Sequence, residues 1–560
     1  MKILVIGSGG REHALAWRLG TSRSVESVTV APGNPGMTRE GTISVVPQVP
    51  SPEQIRRDAY DLVIIGPEEP LVRGLADDLR RTGVSVVGPS REAAQLEGSK
   101  AFAKRFMTDH GIPTAEFRVC ATIEDARRAV NELGAPVVVK ADGLAAGKGV
   151  TVCRSLREAE AAIESIMRDR LFGEAGDVVV VERMLSGFEA SILVLIDESG
   201  HVVLPTSQDH KPIGEGNTGP NTGGMGVIAP NPAISPELRR QIEAEIVVPS
   251  VEAIRSRGWL FRGVLFIGLM IDEAGPQTLE YNVRFGDPET QAVLPLIDGD
   301  FGTVMAGLAA GKLSDAIREA HFDVRDGAAC AVIAASEGYP GPYTKGVPVT
   351  IDTLPPGAFP DGGSQIFSAG IDATREIPDG PDRFITAGGR VLAATAWGPD
   401  LDAARRSAYT TMQTVHFDGM QYRRDIGGVP IVTGILEEGR VLLPRFEKRG
   451  GLLPVVVQDA GSKAVLMVGY SNRTAYEETR RTGYATFWST SRNTLWTKGE
   501  SSGDYLAIEE IRVDCDQDAL LYLVRPVGGG VCHTVNAAGR HRRRCFYRRL
   551  GPSGLLELDE

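Results

Sequence analysis

The chain has 560 residues, 42% of them hydrophobic, and a formal net charge of −12. A chain of this length typically folds into about four domains, and its hydrophobic fraction is ordinary for a globular protein. The negative charge argues against a nucleic-acid-binding protein, because binding to a phosphate backbone needs a basic surface. The one basic cluster, Arg540–Arg544 with Arg548 and Arg549, is either a solvated surface or a pocket for a phosphorylated ligand.

Apolar stretches and cysteines indicate the compartment. Ile3–Ile6 and Val264–Ile271 are far shorter than the roughly 20 residues that a membrane-spanning helix needs. A signal peptide is not expected, because the turn Gly7–Arg11 follows the first apolar run at once. Six cysteines in a chain of this length do not form a disulfide framework. We therefore expect a protein of the reducing cytoplasm with no membrane partner.

The predicted elements of the first hundred residues alternate between strands and helices. Strands are predicted at Lys2–Ile6, Val28–Ala31, Asp61–Ile65 and Val84–Gly88, and helices at Glu12–Leu19 and Leu71–Arg81. Such alternation predicts an α/β fold with a parallel sheet and helices on its faces.

The remaining chain predicts further α/β units. Its predicted elements are a helix at Ala101–Asp109, strands at Val137–Lys140, Val178–Glu182, Ser191–Ile196, Gly263–Ile271 and Thr278–Asn282, and a helix at Leu401–Val415. The segment Gly427–Gly439 contains Gly, Pro and Glu without a strong period and predicts a linker. A new apolar-rich unit starts near Leu452.

A glycine-rich turn, Gly7–His13 (GSGGREH), follows the first strand and opens a helix. Such a turn directs backbone N–H groups and a helix N-terminus at an anion. A dinucleotide-binding fingerprint would have a third glycine in place of Glu12 and an acidic residue after the second strand, where the chain has Ala31–Gly33. The turn therefore favours a phosphate-bearing substrate over NAD, and a tight turn without a ligand is the alternative.

A second glycine-rich segment, Lys140–Val150 (KADGLAAGKGV), follows a valine-rich strand. Its glycines allow close approach to phosphates and its lysines supply countercharge, but no Ser or Thr follows the lysine as in a Walker A loop. The later strand Val180–Leu185 ends in a carboxylate and is suited to adenine and ribose edges. Glu280 and Asn282 share one face of a strand, where their oxygens suit Mg²⁺. A polar sheet face is the alternative.

Five motifs occur in order and carry a family resemblance: Gly7–His13, Lys140–Val150, Ser207–Lys211, Gly219–Gly226 and Arg284–Gln291. Residues 1–427 thereby resemble the phosphoribosylamine–glycine ligase (glycinamide ribonucleotide synthetase) family of the ATP-grasp superfamily. The resemblance implies a Rossmann-like domain (1–102), an ATP-grasp domain (103–327) and a small α/β C-terminal subdomain (328–427). It also implies the reaction, in which ATP phosphorylates the carboxylate of glycine and the amine of 5-phosphoribosylamine attacks the acyl phosphate.

The same resemblance implies roles that fit the chemistry of the residues. The ATP-binding residues would be Lys104, Lys140, Gly147, Lys148, Gly149, Glu182, Leu185 and Glu189. Glu280 and Asn282 would hold Mg²⁺ or Mn²⁺, and Arg284 and Asp287 would be the catalytic residues that position glycine and its acyl phosphate. Other substrate contacts would come from Gly7, Gly9, Gly10, Arg11, Glu12, Asp209 and Asn221.

The C-terminal segment Asp514–Asp518 (DCDQD) has three aspartates at alternate positions. They would share one face of a strand or the inside of a loop. Like charges repel unless a cation holds them, and hard oxygen ligands indicate Mg²⁺. Cys515 points the other way, and Cys532 and Cys545 add soft ligands of the kind zinc prefers. A solvated acidic turn with three buried cysteines is the alternative.

The surrounding motifs are Gly451–Pro454, Phe487–Arg492, Trp496–Gly503 and Cys545–Arg548. They resemble the phosphoribosyl-AMP cyclohydrolase family and imply a small α+β domain (440–560) after a linker (428–439). That family opens the adenine ring between N1 and C6 by metal-assisted attack of water. The resemblance implies Asp514, Asp516 and Asp518 as Mg²⁺ ligands, Cys515, Cys532 and Cys545 as Zn²⁺ ligands shared by two subunits of a homodimer, and Ser491, Arg492, Lys498 and Ser502 as phosphoribosyl-binding residues.

The sequence thus predicts a bifunctional enzyme of purine and histidine synthesis that acts on small molecules. One alternative is a glycine ligase with a non-catalytic, zinc-bound dimerisation module, and another is an ATP-grasp ligase for a different amine. Two departures from the families stand out. Ser368 occupies a position where the ligases often have histidine, and Val535–Arg544 lengthens the spacing between Cys532 and Cys545.

Overall fold

The computed structural model describes residues 1–145, 149–353, 359, 362–373, 384–428, 444, 446, 451–515, 517–552 and 554–558. The chain divides into two compact units, Met1–Gly428 and Val429–Glu560. The predicted linker 428–439 lies, apart from Gly428, outside the described residues. Within the described part, no helix is both long and apolar enough to cross a membrane.

The N-terminal segment forms a parallel sheet with flanking helices, as predicted. Its strands are β1 (Lys2–Gly7), β2 (Ser27–Pro32), β3 (Ile43–Val45), β4 (Leu62–Ile65) and β5 (Val86–Val87), and its helices are α1 (Gly10–Gly20), α2 (Pro52–Arg57), α3 (Glu68–Arg73), α4 (Leu75–Arg81) and α5 (Gln95–Gly98). The strands pair in the order β3-β2-β1-β4-β5. The predicted helix Leu71–Arg81 is divided at Gly74, whose φ of 94° suits glycine.

The next segment is an antiparallel sheet covered by two helices. Its elements are α6 (Lys100–Asp109), β6 (Phe117–Cys120), α7 (Ile123–Leu133), β7 (Val137–Ala141), β8 (Val150–Cys153), α8 (Leu156–Ile163) and β9 (Val179–Arg183). The strand order is β6-β9-β7-β8. Ala126, Ala129, Val130 and Leu133 recur at helical spacing and bury one face of α7 against the sheet.

A second antiparallel sheet carries Glu280 and Asn282. This part of the chain contains β10 (Phe188–Ile196), β11 (His201–Val203), β12 (Gln208–Asp209), β13 (Pro212–Gly214), β14 (Thr218–Asn221), β15 (Gly226–Ala229), α9 (Pro236–Ile242), α10 (Val248–Ser256), β16 (Gly263–Asp272) and β17 (Gly275–Asn282). The strand order is β11-β10-β16-β17.

The last part of the first unit contains α11 (Glu289–Val293), β18 (Ile297–Asp298), α12 (Phe301–Ala310), α13 (Leu313–Glu319), β19 (Asp323–Val324), β20 (Ala328–Ala335), β21 (Pro348–Ile351), β22 (Gly363–Ser368), β23 (Ile371–Ala373), β24 (Phe384–Thr386), β25 (Arg390–Gly398), α14 (Leu401–Met412) and β26 (Val415–His416). One sheet has the order β12-β15-β20-β25-β22 and another the order β23-β24-β21-β26. The first of these takes two strands from before residue 328, so it crosses the predicted subdomain boundary. The predicted helix Leu401–Val415 ends at Met412.

One hydrophobic cluster joins distant segments of the first unit. It contains Ile3 of β1, Leu15 of α1, Phe285, Phe301 of α12 and Phe367 of β22, all buried. A shared core of this kind fixes the segments that carry the candidate site residues relative to one another.

The second unit is a small α+β fold, as predicted. Its elements are β27 (Leu453–Asp459), β28 (Val465–Ser471), α15 (Arg473–Thr482), β29 (Thr486–Ser489), β30 (Thr494–Thr497), β31 (Tyr505–Val513), β32 (Leu520–Val527), β33 (Arg548–Leu550) and β34 (Leu556–Leu558). The main sheet has the order β28-β27-β32-β31, in which only the β27–β32 pair is parallel. Its core contains Val455, Phe487, Leu506 and Tyr522.

Candidate active sites

Two lysines and a glutamate form a buried ion cluster in the first unit. Lys140 on β7 and Lys104 on α6 both pair with Glu182 on β9, and the Lys104 Nζ–Glu182 Oε2 distance is 2.6 Å. Burial would raise the pKa of Glu182, but Lys140 and Lys104 hold it below its ordinary value. Burial lowers the pKa of Lys104 to about 8, against the opposing effect of Glu182. The structure thus brings three predicted ATP-binding residues together.

Glu280 and Asn282 lie near the end of β17, and Tyr281 between them faces the opposite side. Tyr281 is buried there, with its hydroxyl 2.6 Å from Ser250 Oγ. Burial would raise the pKa of Glu280, but Lys211, Lys140 and other nearby cations keep it below its ordinary value. Glu280 is therefore an ionised carboxylate beside a carboxamide, and this donor set fits Mg²⁺.

Arg284 and Asp287 follow β17 and make separate contacts. The Arg284 guanidinium lies 3.0 Å from Glu97 Oε1 and 3.6 Å from Glu68 Oε2. Asp287 Oδ1 accepts a hydrogen bond from Gln291 Nε2 at 2.8 Å, and Asp287 Oδ2 lies 3.2 Å from Arg390 Nη2. Burial would raise the pKa of Asp287, but Arg390 and Arg11 hold it below its ordinary value.

A second acidic group lies close to these residues. Burial and Glu289 raise the pKa of Asp209, and burial raises the pKa of Glu289, whose Oε1 accepts a hydrogen bond from Ser191 Oγ at 3.1 Å. Lys211 pairs with Glu189, one of the predicted ATP-binding residues. Burial and the neighbouring Glu289 thus favour the neutral form of the Asp209 carboxyl.

The glycine-rich turn wraps around the Glu12 carboxylate. Gly9 N–H donates to Glu12 Oε2 at 2.7 Å, and Arg11 Nε donates to Glu12 Oε1 at 2.6 Å. A Cβ at Gly7 would lie 2.5 Å from the Glu12 side chain, and one at Gly66 would lie 2.1 Å from it. Glu12, which breaks the dinucleotide fingerprint, therefore packs where a third glycine would leave space. Gly10 begins α1 and is buried.

The strand with the unusual Ser368 is tied to the same turn. Ser368 N–H donates to His13 Nδ1 at 2.8 Å, and Asn34 Nδ2 donates to the Ser368 carbonyl at 3.1 Å. The backbone of this strand therefore supports α1, and it does so through groups that the Ser368 side chain does not supply.

The other predicted ATP and substrate contacts that the structure describes lie at separate places along the chain. Gly147 and Lys148 lie outside the described residues. Gly149 is buried, and its carbonyl accepts from Ala141 N–H at 2.8 Å. Leu185 is half-buried between β9 and β10, and Asn221 is exposed at the end of β14.

In the second unit, the predicted phosphoribosyl-binding residues differ in exposure. Lys498 is buried, and its Nζ donates to the Asp504 carbonyl at 3.4 Å. Arg492 and Ser502 are exposed, and Ser502 Oγ accepts from Asp504 N–H at 3.3 Å. Ser491 is exposed in the β29–β30 turn.

Asp514 and Asp518 lie in the turn between β31 and β32 rather than on a strand. Asp514 Oδ1 accepts hydrogen bonds from Asp518 N–H at 2.9 Å and Ala519 N–H at 3.0 Å. Asp514 is exposed and Asp518 is buried. Asp516 lies outside the described residues. Of the two environments that the sequence allowed, the structure has the loop.

Cys532 and Cys545 lie next to each other, whereas Cys515 is exposed in the β31–β32 turn. Burial and the neighbouring Cys532 raise the pKa of Cys545 to about 11. Cys532 Sγ is 3.0 Å from Thr534 Oγ1. In the part of this single chain that the structure describes, no group of three or more His, Cys, Asp or Glu side chains is arranged for a metal ion.

The long spacing between these cysteines is taken up by a turn-back of the chain. Val535 and His541 form an antiparallel bridge, and Arg542 N–H donates to the Thr534 carbonyl at 3.0 Å. Cys532 N–H donates to the Arg542 carbonyl at 2.9 Å. These bonds close the base of the insert, so the extra residues extend away without separating the cysteines.

Four family models match the chain. They are the phosphoribosylglycinamide synthetase N domain (residues 1–97), ATP-grasp (A) domain (98–290) and C domain (329–429), and phosphoribosyl-AMP cyclohydrolase (467–547). The phosphoribosylamine–glycine ligase of Clostridium acetobutylicum is 42% identical over 432 residues, which are 76% of this chain and 99% of that relative. The chain belongs to the phosphoribosylamine–glycine ligase family. It also carries a phosphoribosyl-AMP cyclohydrolase domain after the ligase.

Solved structures agree with the ATP-grasp fold of this ligase. The phosphoribosylamine–glycine ligase of Thermotoga maritima is 32% identical, with a TM-score of 0.63, and the match covers 76% of this chain and all of that one. The biotin carboxylase domain of Hydrogenobacter thermophilus 2-oxoglutarate carboxylase, solved with magnesium ADP, has a TM-score of 0.57 at 17% identity and covers 80% of this chain and 97% of that one. The second match shows the fold alone.

Several residues at the ligase site were not singled out from the sequence. Glu97 lies beside Arg284, Lys211 beside Glu189, and Arg390 beside Asp287. Lys211 and Glu289 lie inside quoted motifs, so their chemistry was visible although their roles were not assigned. Arg390 is about 100 residues from Asp287 in sequence, and only the fold brings the two together.

Proposed function

We propose that the first unit ligates glycine to 5-phosphoribosylamine, converting ATP to ADP and phosphate and forming glycinamide ribonucleotide. The observation that carries the proposal is the ionised Glu280 among Lys211, Lys140, Lys100 and Arg284. A carboxylate held in a buried, cation-rich site suits phosphoryl transfer, in which negative charge must be neutralised as it moves.

Each side chain then has a chemical task. Lys104 and Lys140 attract the nucleotide phosphates, and Arg284 and Asp287 orient glycine so that its carboxylate oxygen attacks the terminal phosphorus while ADP leaves. The amine nitrogen of phosphoribosylamine next attacks the acyl carbon, phosphate leaves, and the amine loses a proton. Glu280 and Asn282 would hold Mg²⁺ or Mn²⁺, which when bound neutralises charge on the phosphates.

We infer that the second unit hydrolyses the N1–C6 bond of the adenine ring of phosphoribosyl-AMP. Lys498, Arg492, Ser491 and Ser502 would bind the phosphoribosyl groups. Asp514, Asp516 and Asp518 would hold Mg²⁺, and Cys532 and Cys545 would hold Zn²⁺ together with Cys515 of a second subunit. The adjacency of the first two thiols fits zinc, and the separate position of Cys515 is what a ligand shared between subunits requires.

A homodimer through the second unit has independent physical support. The side chains of Leu550, Leu555, Leu556 and Leu558 are between 62% and 72% exposed, and Phe546 is 53% exposed. Large apolar side chains clustered at a surface favour a protein contact. We propose the reducing cytoplasm as the compartment, in keeping with six free cysteines.

One observation favours the alternative of a non-catalytic second unit. Asp514 already accepts two backbone hydrogen bonds within its turn, so it has a structural role without a metal. The deciding experiment measures both reactions and the bound metals on the purified full-length chain. Ligation with glycine but no cyclohydrolase activity in a zinc-loaded dimer would establish the alternative. Ligation with another amine but not with glycine would refute the ligase proposal.

A further inference from the structure

The peptide of Gly223, within the glycine-rich segment Gly219–Gly226, is held on both sides by residues from much later in the chain. Its N–H donates to the Tyr339 hydroxyl at 3.0 Å, and its carbonyl accepts a hydrogen bond from Arg390 Nη1. Tyr339 follows β20 and Arg390 begins β25, so both holding groups belong to the C-terminal part of the first unit.

The same Arg390 guanidinium reaches Asp287. Its Nη1 donates to the Asp287 carbonyl at 3.0 Å, and its Nη2 lies 3.2 Å from Asp287 Oδ2. A planar guanidinium can donate in several fixed directions at once, which a lysine ammonium cannot reproduce. One side chain therefore joins the glycine-rich segment to the carboxylate that we place beside glycine.

The glycines around this junction allow a close approach of the backbone to neighbouring side chains. A Cβ at Gly223 would lie 3.2 Å from Arg390 Cζ, and one at Gly389 would lie 2.2 Å from the Tyr339 ring. A Cβ at Gly224, whose φ is 106°, would lie 2.5 Å from Asp209 Oδ1. The backbone at Gly389 and Gly224 thus approaches Tyr339 and Asp209 more closely than a residue with a Cβ would allow, whereas a Cβ at Gly223 would require a small shift of Arg390.

We propose that Arg390 is a positioning residue of the ligase. It holds the segment Gly219–Gly226 and Asp287 in one arrangement, so that the substrate glycine contacts both. This inference rests on the proposed ligase activity. Without Arg390, the Gly223 carbonyl and the Asp287 carboxylate lose a shared charged partner. Binding of the substrate glycine would then have to order both groups, which weakens the binding. In the part of the chain that the structure describes, the ion pairs of Lys104, Lys140 and Glu182 do not involve Arg390, so we expect the nucleotide end of the site to be unaffected.

The test compares Arg390→Ala and Arg390→Lys with Arg262→Lys. Arg262 is a matched control, because it also bonds a carboxylate and a carbonyl, those of Glu198 and Ala309, at 3.0 and 2.9 Å. We expect Arg390→Ala to raise KM for glycine about 10- to 100-fold and to change KM for ATP by less than about twofold. Added ethylguanidinium should partly restore KM for glycine in Arg390→Ala, and the control should keep both constants.

Hydrogen exchange gives a readout that does not depend on activity. Amides of residues 219–226 should exchange faster in both Arg390 variants of the ligand-free chain, and those of the Arg262 control should not. Unchanged KM for glycine with unchanged exchange would overturn the inference. So would equal losses for ATP and glycine without rescue, because these indicate general damage. If the unaltered chain does not ligate glycine, the proposed function fails, and the exchange rates still decide the coupling by Arg390.

Discussion

The two units differ in whether their candidate site residues are buried and paired or exposed. In the first unit, Lys104, Lys140 and Glu182 are buried and paired with one another, and Asp287 is paired with Arg390. In the second unit, Arg492, Ser502, Asp514 and Cys515 are exposed. The ligase site has its charges arranged before any substrate arrives, and this preorganisation is the main source of electrostatic catalysis.

The exposed residues of the second unit imply a different way of building a site. Carboxylates and a thiol at a surface gain a fixed geometry when a cation or a partner surface orders them. Cys532 and Cys545 are already adjacent and would form the part of the proposed zinc site that one chain supplies. The comparison therefore predicts that the ligase works as a single chain and that the cyclohydrolase depends on metal and assembly.

The strongest test of the preorganised site is Glu280→Ala. Removing this carboxylate leaves the metal without its charged ligand, so we expect ligation to fall about 1,000-fold or more. Steady-state formation of glycinamide ribonucleotide measures the change. Glu273→Ala is the control, because Glu273 is exposed in the turn of the same β16–β17 hairpin. Near-normal ligation by Glu280→Ala would show that the metal is held elsewhere.

Cys545→Ser tests the dependence of the second unit on metal and assembly. Loss of one thiolate should remove zinc, weaken the dimer and lower cyclohydrolase activity by more than about 100-fold, with ligation unchanged. Metal analysis and sedimentation measure the first two effects. Cys120→Ser, in the first unit, should alter none of them. A Cys545→Ser chain that keeps one zinc and full cyclohydrolase activity would show that this cysteine does not bind the metal.

The buried cluster of the first unit predicts a pH dependence. Lys104, with a pKa of about 8, loses its charge as the pH rises through that value. KM for ATP should therefore rise above pH 8, by up to about tenfold for each pH unit. Lys104→Arg should flatten this rise, because arginine stays charged. The free energy of unfolding should rise between pH 8 and about pH 10.4, because in that range the unfolded lysine is protonated and the folded one is not.

The smallest effect is expected from removing the second unit. A chain shortened to residues 1–428 should keep ligase activity within about twofold, because the boundary between the compact units falls there and crosses none of the ligase motifs. Soluble but inactive protein would show that the ligase needs the second unit, and the contrast between the units would then fail.

Most of the fold could be predicted from sequence, and the exceptions have local causes. Four of the five strands of the first sheet were predicted within a few residues, because buried parallel strands are continuous apolar runs, whereas β3 (Ile43–Val45) was not predicted. The helix predicted at Leu71–Arg81 is interrupted by Gly74, which adopts a left-handed conformation. The apolar periodicity of the segment does not reveal this break. The β12-β15-β20-β25-β22 sheet crosses residue 328, and no local pattern predicts pairing between segments so far apart.

The sequence predicts candidate site residues where the relevant chemistry lies within one motif, and these assignments stay predictions. Glu280, Asn282 and Arg284 came from adjacent positions of a strand and its exit. Partners such as Arg390 for Asp287 and Glu97 for Arg284 are set by tertiary packing, so the sequence gives them no local signature. The family resemblance implies the substrates and products of each reaction. It does not indicate which groups hold the proposed catalytic side chains in place.

The hydrogen-bonded base of the insert between Cys532 and Cys545 makes the tip of the insert a position for protein engineering. Because the hydrogen bond between Thr534 and Arg542 fixes the base of the insert, the number of residues between these two can vary without moving the cysteines apart. The tip around Asn536–Gly539 is exposed, so a peptide tag or a fluorophore could be grafted there. A search motif with a fixed gap between the two cysteines would therefore miss chains in which this segment has a different length.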